Sequence, residues 1–224
     1  SFARYLSQNN QGVLYESLDM SENLLYARLL QKHCKYDFRQ ILNMLYEKQV
    51  TPQLLDAFEK TNDEFKNVAF NFKSGTNVED IESDILTQKE KIGDKLKLVI
   101  VDYLEKVRGP YSDATANSAY VASRLTDLAR EHNVCLLMLL QPQKSAGDPS
   151  QPLLSMRKVK GASVIEQDLR LILTLWRPGF NPQNMENDKF VSVAVVKNNM
   201  GGLCQMDFKW SGVSGSFSDL SLDE

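Results

Sequence analysis

Apolar positions along this chain follow two distinct patterns. Short, largely apolar runs occupy residues 13–18, 96–101, 134–140 and 169–176, with a briefer one at 68–72, and such runs predict strands covered on both faces. Between them the apolar residues recur at three- and four-residue spacing. That spacing predicts helices over residues 1–11, from Ser21 to about Lys35, and from Thr51-Pro52 onward with Leu54, Phe58 and Phe65 on one face. A capping box at residues 76–79 starts another helix with Ile81, Ile85 and Ile92 aligned, and residues 113–132 form a further one with Val121, Leu125 and Leu128 inward. Strands separated by helices predict a parallel sheet with helical crossovers, an α/β fold.

Downstream the pattern changes. Residues 143–160 are rich in Gly, Pro and Ser and carry Lys144, Arg157, Lys158 and Lys160, a length of connection that is either functional or disordered. Residues 191–198 and 203–210 read as an antiparallel hairpin joined through Met200-Gly201-Gly202, the glycine pair supplying positive φ. With no internal repeat and no dividing linker, one domain is predicted over residues 1–212, followed by a polar, acidic and loosely held tail at 213–224.

Composition narrows the class. The 224 residues are 42% hydrophobic and 25% charged, enough to build one sizeable core. No apolar stretch approaches membrane-spanning length, and Ser1-Phe2-Ala3-Arg4 lacks the layout of a signal peptide, so a soluble intracellular protein without a membrane partner is expected. Cys34, Cys135 and Cys204 lie far apart and fit reduced core thiols. With His33 and His132 the only histidines, a transition-metal centre is disfavoured. A net charge of -3 gives no global footprint for nucleic acid, so any such contact must be local.

The candidate chemistry begins at Asp102, which directly follows the apolar run at 96–101. Open α/β sheets bind ligands at the C-terminal edge of their strands, and an acid there can hold Mg²⁺ beside nucleotide phosphates, the arrangement of a Walker-B carboxylate. An aspartate that caps the following turn is the competing reading.

Five segments in register then carry a resemblance. Leu18-Asp19-Met20-Ser21, Val99-Ile100-Val101-Asp102-Tyr103-Leu104, Leu140-Gln141, Ile165-Glu166-Gln167-Asp168 and Val196-Lys197-Asn198-Asn199 occur in the order and at the separations of the C-terminal RecA-like motor domain of DnaB-type replicative helicases. The chain resembles that family from Val13 to about Gly212. The resemblance implies a RecA-like P-loop NTPase core, with a mainly parallel central sheet flanked by helices and a C-terminal antiparallel hairpin at the edge. It implies catalytic roles for Asp19, Asp102, Gln141 and Lys197, and ATP binding by Asp102, Gln141, Lys197 and Asn199, with Asp102 as the Mg²⁺ ligand. Asp19 falls where the family has the glutamate that polarises the attacking water, and Gln141 where it has the residue that senses the γ-phosphate. Lys197 matches a basic residue that reaches the neighbouring subunit's nucleotide. Glu16 is a reserve candidate for the base, and helix-dipole stabilisation is the structural alternative for Asp19.

Three departures accompany the match. Aspartate replaces glutamate at Asp19, which draws the charge back by about one methylene, and misplacement near 1 Å can cost orders of magnitude in rate. Asn199 stands where the family has an arginine finger, a group able to contribute about 10³ to 10⁵ in rate. Lys160-Gly161-Ala162-Ser163 replaces an Arg-Gly-Ser-Gly-like channel loop, so Arg157, Lys158, Lys160, Gly161 and Ser163 are the implied contacts to single-stranded DNA phosphates, lysine keeping the charge but losing the bidentate fork. The Arg108-Gly109-Pro110 turn is a second candidate channel loop.

None of the eleven glycines is followed by lysine, so the Gly-x-x-x-x-Gly-Lys-Ser/Thr phosphate loop is not in this sequence. Because the first helix reads as already in progress and uncapped, a phosphate loop immediately upstream of Ser1 is expected. The whole is then an ATP-driven replicative DNA helicase, bacterial, phage or prophage in type and cytoplasmic, working as a hexameric homo-oligomeric ring with primase and a loader as partners. This segment alone is expected not to hydrolyse ATP. A non-catalytic RecA-fold module that assembles with a helicase, or a RecA- or KaiC-like ATPase, are the alternatives.

Overall fold

The apolar run that ends on Asp102 is strand β3 (Leu96–Asp102) of the computed structural model, which describes residues 1–141, 162–178 and 190–220. Leu98, Val99, Ile100 and Val101 are each no more than 4% exposed. A strand sealed on both faces needs apolar residues at every position, which is why the sequence shows a run and not an alternation.

Two compact units divide the chain, Ser1–Gln141 and Pro142–Glu224. In the first, α1 (Phe2–Gln8) leads into β1 (Gly12–Ser17), then the helical excursion α2 (Glu22–Leu30), α3 (Phe38–Tyr46) and α4 (Pro52–Glu64). There follow β2 (Val68–Asn71), α5 (Val78–Ile92), β3, α6 (Ala114–Glu131) and β4 (Cys135–Met138). The strands form one four-stranded sheet in the order β2-β1-β3-β4, every pair parallel. Parallel pairing brings the C-terminal ends of β1, β3 and β4 to one edge, as the sequence predicts for Asp102 and Gln141.

Helices cover both faces. Ala3 of α1 packs with Val13, Leu98 and Ile100 on one side. On the other, α5 and α6 lie against the sheet and bury Val78, Ile81, Ile85, Val121, Leu125 and Leu128. The excursion has a core of its own, Ala27, Leu30, Ile41, Leu54 and Ala57.

Several local expectations shift, each for a visible reason. Ser1 Oγ accepts from Arg4 N–H at 3.4 Å, so α1 does have a side-chain cap. Helix α2 ends at Leu30 and not near Lys35, because Leu30 C=O accepts from His33 N–H and Cys34 Sγ while Lys32 and His33 turn to Glu64. The capping box lies one residue later, with Asn77 and Asp80 exchanging bonds of 2.8 and 3.0 Å while Thr76 Oγ1 donates to Lys73 C=O. Helix α3, which the apolar spacing does not predict, starts on a reciprocal Asp37–Gln40 box with both bonds at 2.9 Å. Strand β4 is half-buried and not sealed, and among the described residues it is the last in the sheet order; Cys135 on it is exposed. Cys204 is exposed as well and Cys34 only partly covered, so the thiols are free but are not core residues.

In the second unit α7 (Ala162–Asp168) precedes β5 (Leu171–Trp176), β6 (Phe190–Asn198), β7 (Cys204–Ser211) and β8 (Ser216–Asp219). These form an antiparallel sheet in the order β5-β6-β7-β8. The predicted hairpin is its central pair. Its turn does not use positive φ at Gly201 or Gly202; the Asn198 side chain closes it instead, accepting from Met200 N–H at 3.0 Å and donating to Gly202 C=O at 3.2 Å. Residues 216–219, assigned by sequence to a loose tail, pair with β7 because Phe217 packs on Trp210 at 4.8 Å, the turn before it using Gly215 at φ 59°. Among the described residues no helix is long and apolar enough to cross a membrane.

Candidate functional site

The register of β1 against β3 places Ser17 opposite Asp102, and Leu18 N–H donates to the Asp102 carbonyl at 2.8 Å. Asp19 therefore leaves β1 beside the end of β3. There the turn at residues 104–106 returns Lys106, whose Nζ lies 2.8 Å from Asp19 Oδ1 and 5.3 Å from the centre of the Tyr103 ring. The hydrogen bond to Asp19, then that to Tyr103, raises the pKa of Lys106 above the ordinary lysine value. The pair is exposed, so it orients Asp19 more than it stabilises the fold.

Asp102 is half-buried. The Tyr15 hydroxyl, on the same sheet face, donates to its Oδ2 at 2.5 Å, and burial followed by this bond pushes the phenol pKa up. Oδ1 is left open among the described residues. Leu104 N–H donates to Leu139 C=O at 2.9 Å and Leu139 N–H to Val101 C=O at 3.0 Å, carrying β4 on to Gln141. Gln141 N–H then donates to Glu105 Oε1 at 3.2 Å. Glu105 Oε2 is buried without a partner among the described residues, and desolvation raises the carboxyl pKa.

The first unit thus assembles Asp19, Asp102 and Gln141 along one edge, strung together by main-chain bonds. Tyr15, Glu105 and Lys106 belong to the same group and are not among the sequence candidates. A tyrosine inside an apolar strand, whose hydroxyl must find a partner, was the available signal for the first. Glu16, the reserve base, is fully buried and alternates to the opposite face of β1, where its Oε1 accepts from Asn71 Nδ2 at 3.0 Å and Oε2 has no partner. Burial raises its pKa to about 7, but it does not join Asp102.

Lys197 and Asn199 are described within the second unit. Lys197 Nζ donates to Glu166 C=O at 2.5 Å, tying β6 to α7, and Asn199 N–H donates to Arg170 C=O at 2.9 Å. Arg157, Lys158, Lys160 and Gly161 lie outside the described residues, and Ser163 falls in the first turn of α7. The turn at Arg108 is anchored by its N–H to Thr76 C=O at 2.8 Å, with the guanidinium over Gly75, whose φ of 73° and lack of Cβ make room for it.

The donor set suits magnesium. Mg²⁺ takes oxygen ligands, keeps several waters and is held by one or two carboxylates together with substrate phosphates. Asp102 offers one carboxylate oxygen open among the described residues, and Asp19 follows the end of the neighbouring strand β1. Asp102 is the residue at this edge whose chemistry fits a hydrated divalent cation.

Known proteins share this architecture. The chain is 24% identical over 220 residues to the replicative DNA helicase DnaB of Geobacillus stearothermophilus, matching 93% of this chain and 47% of that protein, so it spans about half the length of that curated relative. The solved structure of an ATPase domain superposes with a TM-score of 0.83 at 21% identity, over 98% of this chain and 78% of that one. A DnaB-like replicative helicase, solved in a study of its interactions with primase, gives the same TM-score and identity over 98% of this chain and 53% of its own. A family model for the DnaB-like helicase C-terminal domain matches residues 1–219, and the chain belongs to that family.

Proposed function

We propose that this chain is the motor part of an ATP-dependent replicative DNA helicase, with residues 1–212 as the motor domain, and that it moves on single-stranded DNA to unwind duplex. The observation that carries the reading is the convergence of Asp19, Asp102 and Gln141 at the C-terminal edge of a parallel sheet. In the proposed site Asp102 holds Mg²⁺ through Oδ1, Asp19 orients the attacking water, and Gln141 reports the γ-phosphate to the segment that follows it. Bound magnesium supplies charge neutralisation on the phosphates. Lys106 holds the Asp19 carboxylate near the turn that follows β3 through their ion pair.

Lys197, with Asn199 beside it, reaches a nucleotide held by the neighbouring copy in a hexameric ring. Arg157, Lys158, Lys160, Gly161 and Ser163 contact DNA phosphates. Primase and a loader are the proposed partners, in the cytoplasm of a bacterial or phage-infected cell. The interaction of a fold relative with primase supports the first of these.

The test uses the full-length polypeptide. It should hydrolyse ATP with stimulation by single-stranded DNA, and Asp102→Asn should abolish hydrolysis while the protein still folds. Absence of ATP hydrolysis by the unaltered full-length protein would overturn the motor reading and leave a non-catalytic module.

A further inference from the structure

The proposed roles leave Tyr15 unused. It lies on β1 among apolar neighbours, its ring 5.6 Å from Phe70 and packed on the cluster of Ala3, Val13, Leu98 and Ile100. In β1–β3 pairing its partner is Ile100 and that of Ser17 is Asp102, so the phenol reaches diagonally across the same face to Asp102. The bond, from Tyr15 Oη to Asp102 Oδ2 at 2.5 Å, is short and is made by a donor that packing has already fixed.

A carboxylate rotates in a broad, nearly two-fold well about its last torsion, and both oxygens compete for the same ligand. Tyr15 removes that freedom. Mg²⁺ is demanding of geometry and dehydrates reluctantly, so a ligand whose orientation is settled before binding is the better one. Resting on the nucleotide-site reading above, we infer that Tyr15 is a positioning residue for the metal site, holding Oδ2 of Asp102 so that Oδ1 alone is presented to the cation. The bond makes two opposing contributions. It draws charge from Asp102, which weakens metal binding, and it orders the carboxylate, which strengthens it. A bond that only satisfied the phenol would act on the cation through charge alone, and its removal would tighten metal binding.

The test uses Tyr15→Phe in the full-length protein, a change that keeps the ring contacts and removes one oxygen. Mn²⁺ serves as the probe, its affinity in the ADP complex read by electron paramagnetic resonance, with ADP affinity in the absence of metal read by calorimetry. Loss of the ordered rotor should weaken Mn²⁺ binding by about three- to tenfold and leave metal-free ADP binding within about twofold. In an Asp102→Asn background, Tyr15→Phe should have no further effect on Mn²⁺. Unchanged or tighter Mn²⁺ binding in Tyr15→Phe would overturn the inference, and so would an equal loss in the Asp102→Asn background. Unaltered protein that binds ADP neither with the metal nor without it sinks the nucleotide-site reading and this inference together. Normal Mn²⁺–ADP binding that is indifferent to Tyr15→Phe sinks this inference alone.

Discussion

Glu16→Gln should change how the stability of the protein depends on pH. Glu16 is fully buried, one carboxyl oxygen accepts from Asn71 and the other has no partner. Desolvation is the largest cause that lifts its pKa from the usual 4.5 to about 7, with the Asn71 bond opposing it, Asp84 and Asp80 adding to it and Lys73 subtracting. Between those two values the folded protein holds a proton that the unfolded chain has released. Stability contributed by this group therefore falls as pH rises from about 4.5 to about 7 and is level outside that window. At about 1.4 kcal/mol for each pH unit between the folded and unfolded values, the full span corresponds to roughly 3 kcal/mol. Glutamine keeps an oxygen for Asn71 and has no charge to bury. The difference in unfolding free energy between Glu16→Gln and the unaltered chain, from urea titrations followed by circular dichroism, should move in favour of the variant by about 2 to 3 kcal/mol between about pH 4 and about pH 8. The comparison uses the change of that difference with pH, so any constant cost of an unpaired amide N–H cancels. A difference that is the same at both ends would show that folding leaves the Glu16 carboxyl pKa unshifted, and the argument from its burial would be wrong.

Ile85→Ala removes a fully buried side chain from the α5 face and should lower unfolding free energy by about 2 to 5 kcal/mol in the same urea assay; a loss under about 1 kcal/mol would place α5 outside the cooperative core. Asp37→Ala breaks the capping box of α3 and should cost about 1 kcal/mol, whereas an unmoved midpoint would mean that α3 frays without consequence. Lys106→Ala should leave the urea midpoint where it is, because an ion pair this exposed gains little, and a clear drop would show the contact holding the end of β3 in place. For the proposed ring, Lys197→Ala subunits doped among unaltered full-length ones should depress ATP hydrolysis more than in proportion to their fraction, and strict proportionality would confine Lys197 to its bond with Glu166.

Strand identity was the legible part of the fold. Residues 96–101 carry no polar side chain except Lys97, and only a strand covered on both faces asks for that. Coverage itself was less legible. The run at 134–140 is as apolar as β3, yet β4 closes the sheet order and is half-exposed, because burial depends on what pairs alongside and not on the residues of the strand. Helix α3 was legible at one point only, the Asp37-x-x-Gln40 spacing, and its core contribution rests on a single sealed residue, Ile41. The turn at Met200-Gly201-Gly202 shows the opposite failure: glycines suggest a backbone solution, and the chain uses the side chain of Asn198.

The candidate site divides along the same line. Asp102 and Gln141 could be found in the sequence because each ends an apolar run, and parallel pairing alone then carries both to one edge. Asp19 was found by likeness to a family pattern. Tyr15, Glu105 and Lys106 could not be assigned roles that way, since each acts through a partner distant in sequence: Tyr15 through Asp102, Glu105 through Gln141, Lys106 through Asp19. Those partnerships hang on one quantity, the register of β1 against β3. A slip of one residue would set Ser17 against Val101 and turn Asp102 to the face where Glu16 now lies, away from the Tyr15 hydroxyl. Register is held by Val13 and Leu98 on one face and Leu14 and Val99 on the other, all of them buried. The chemistry at the edge is thus set by apolar residues that take no part in it, and a change such as Val99→Ala acts on the site through its effect on the pairing.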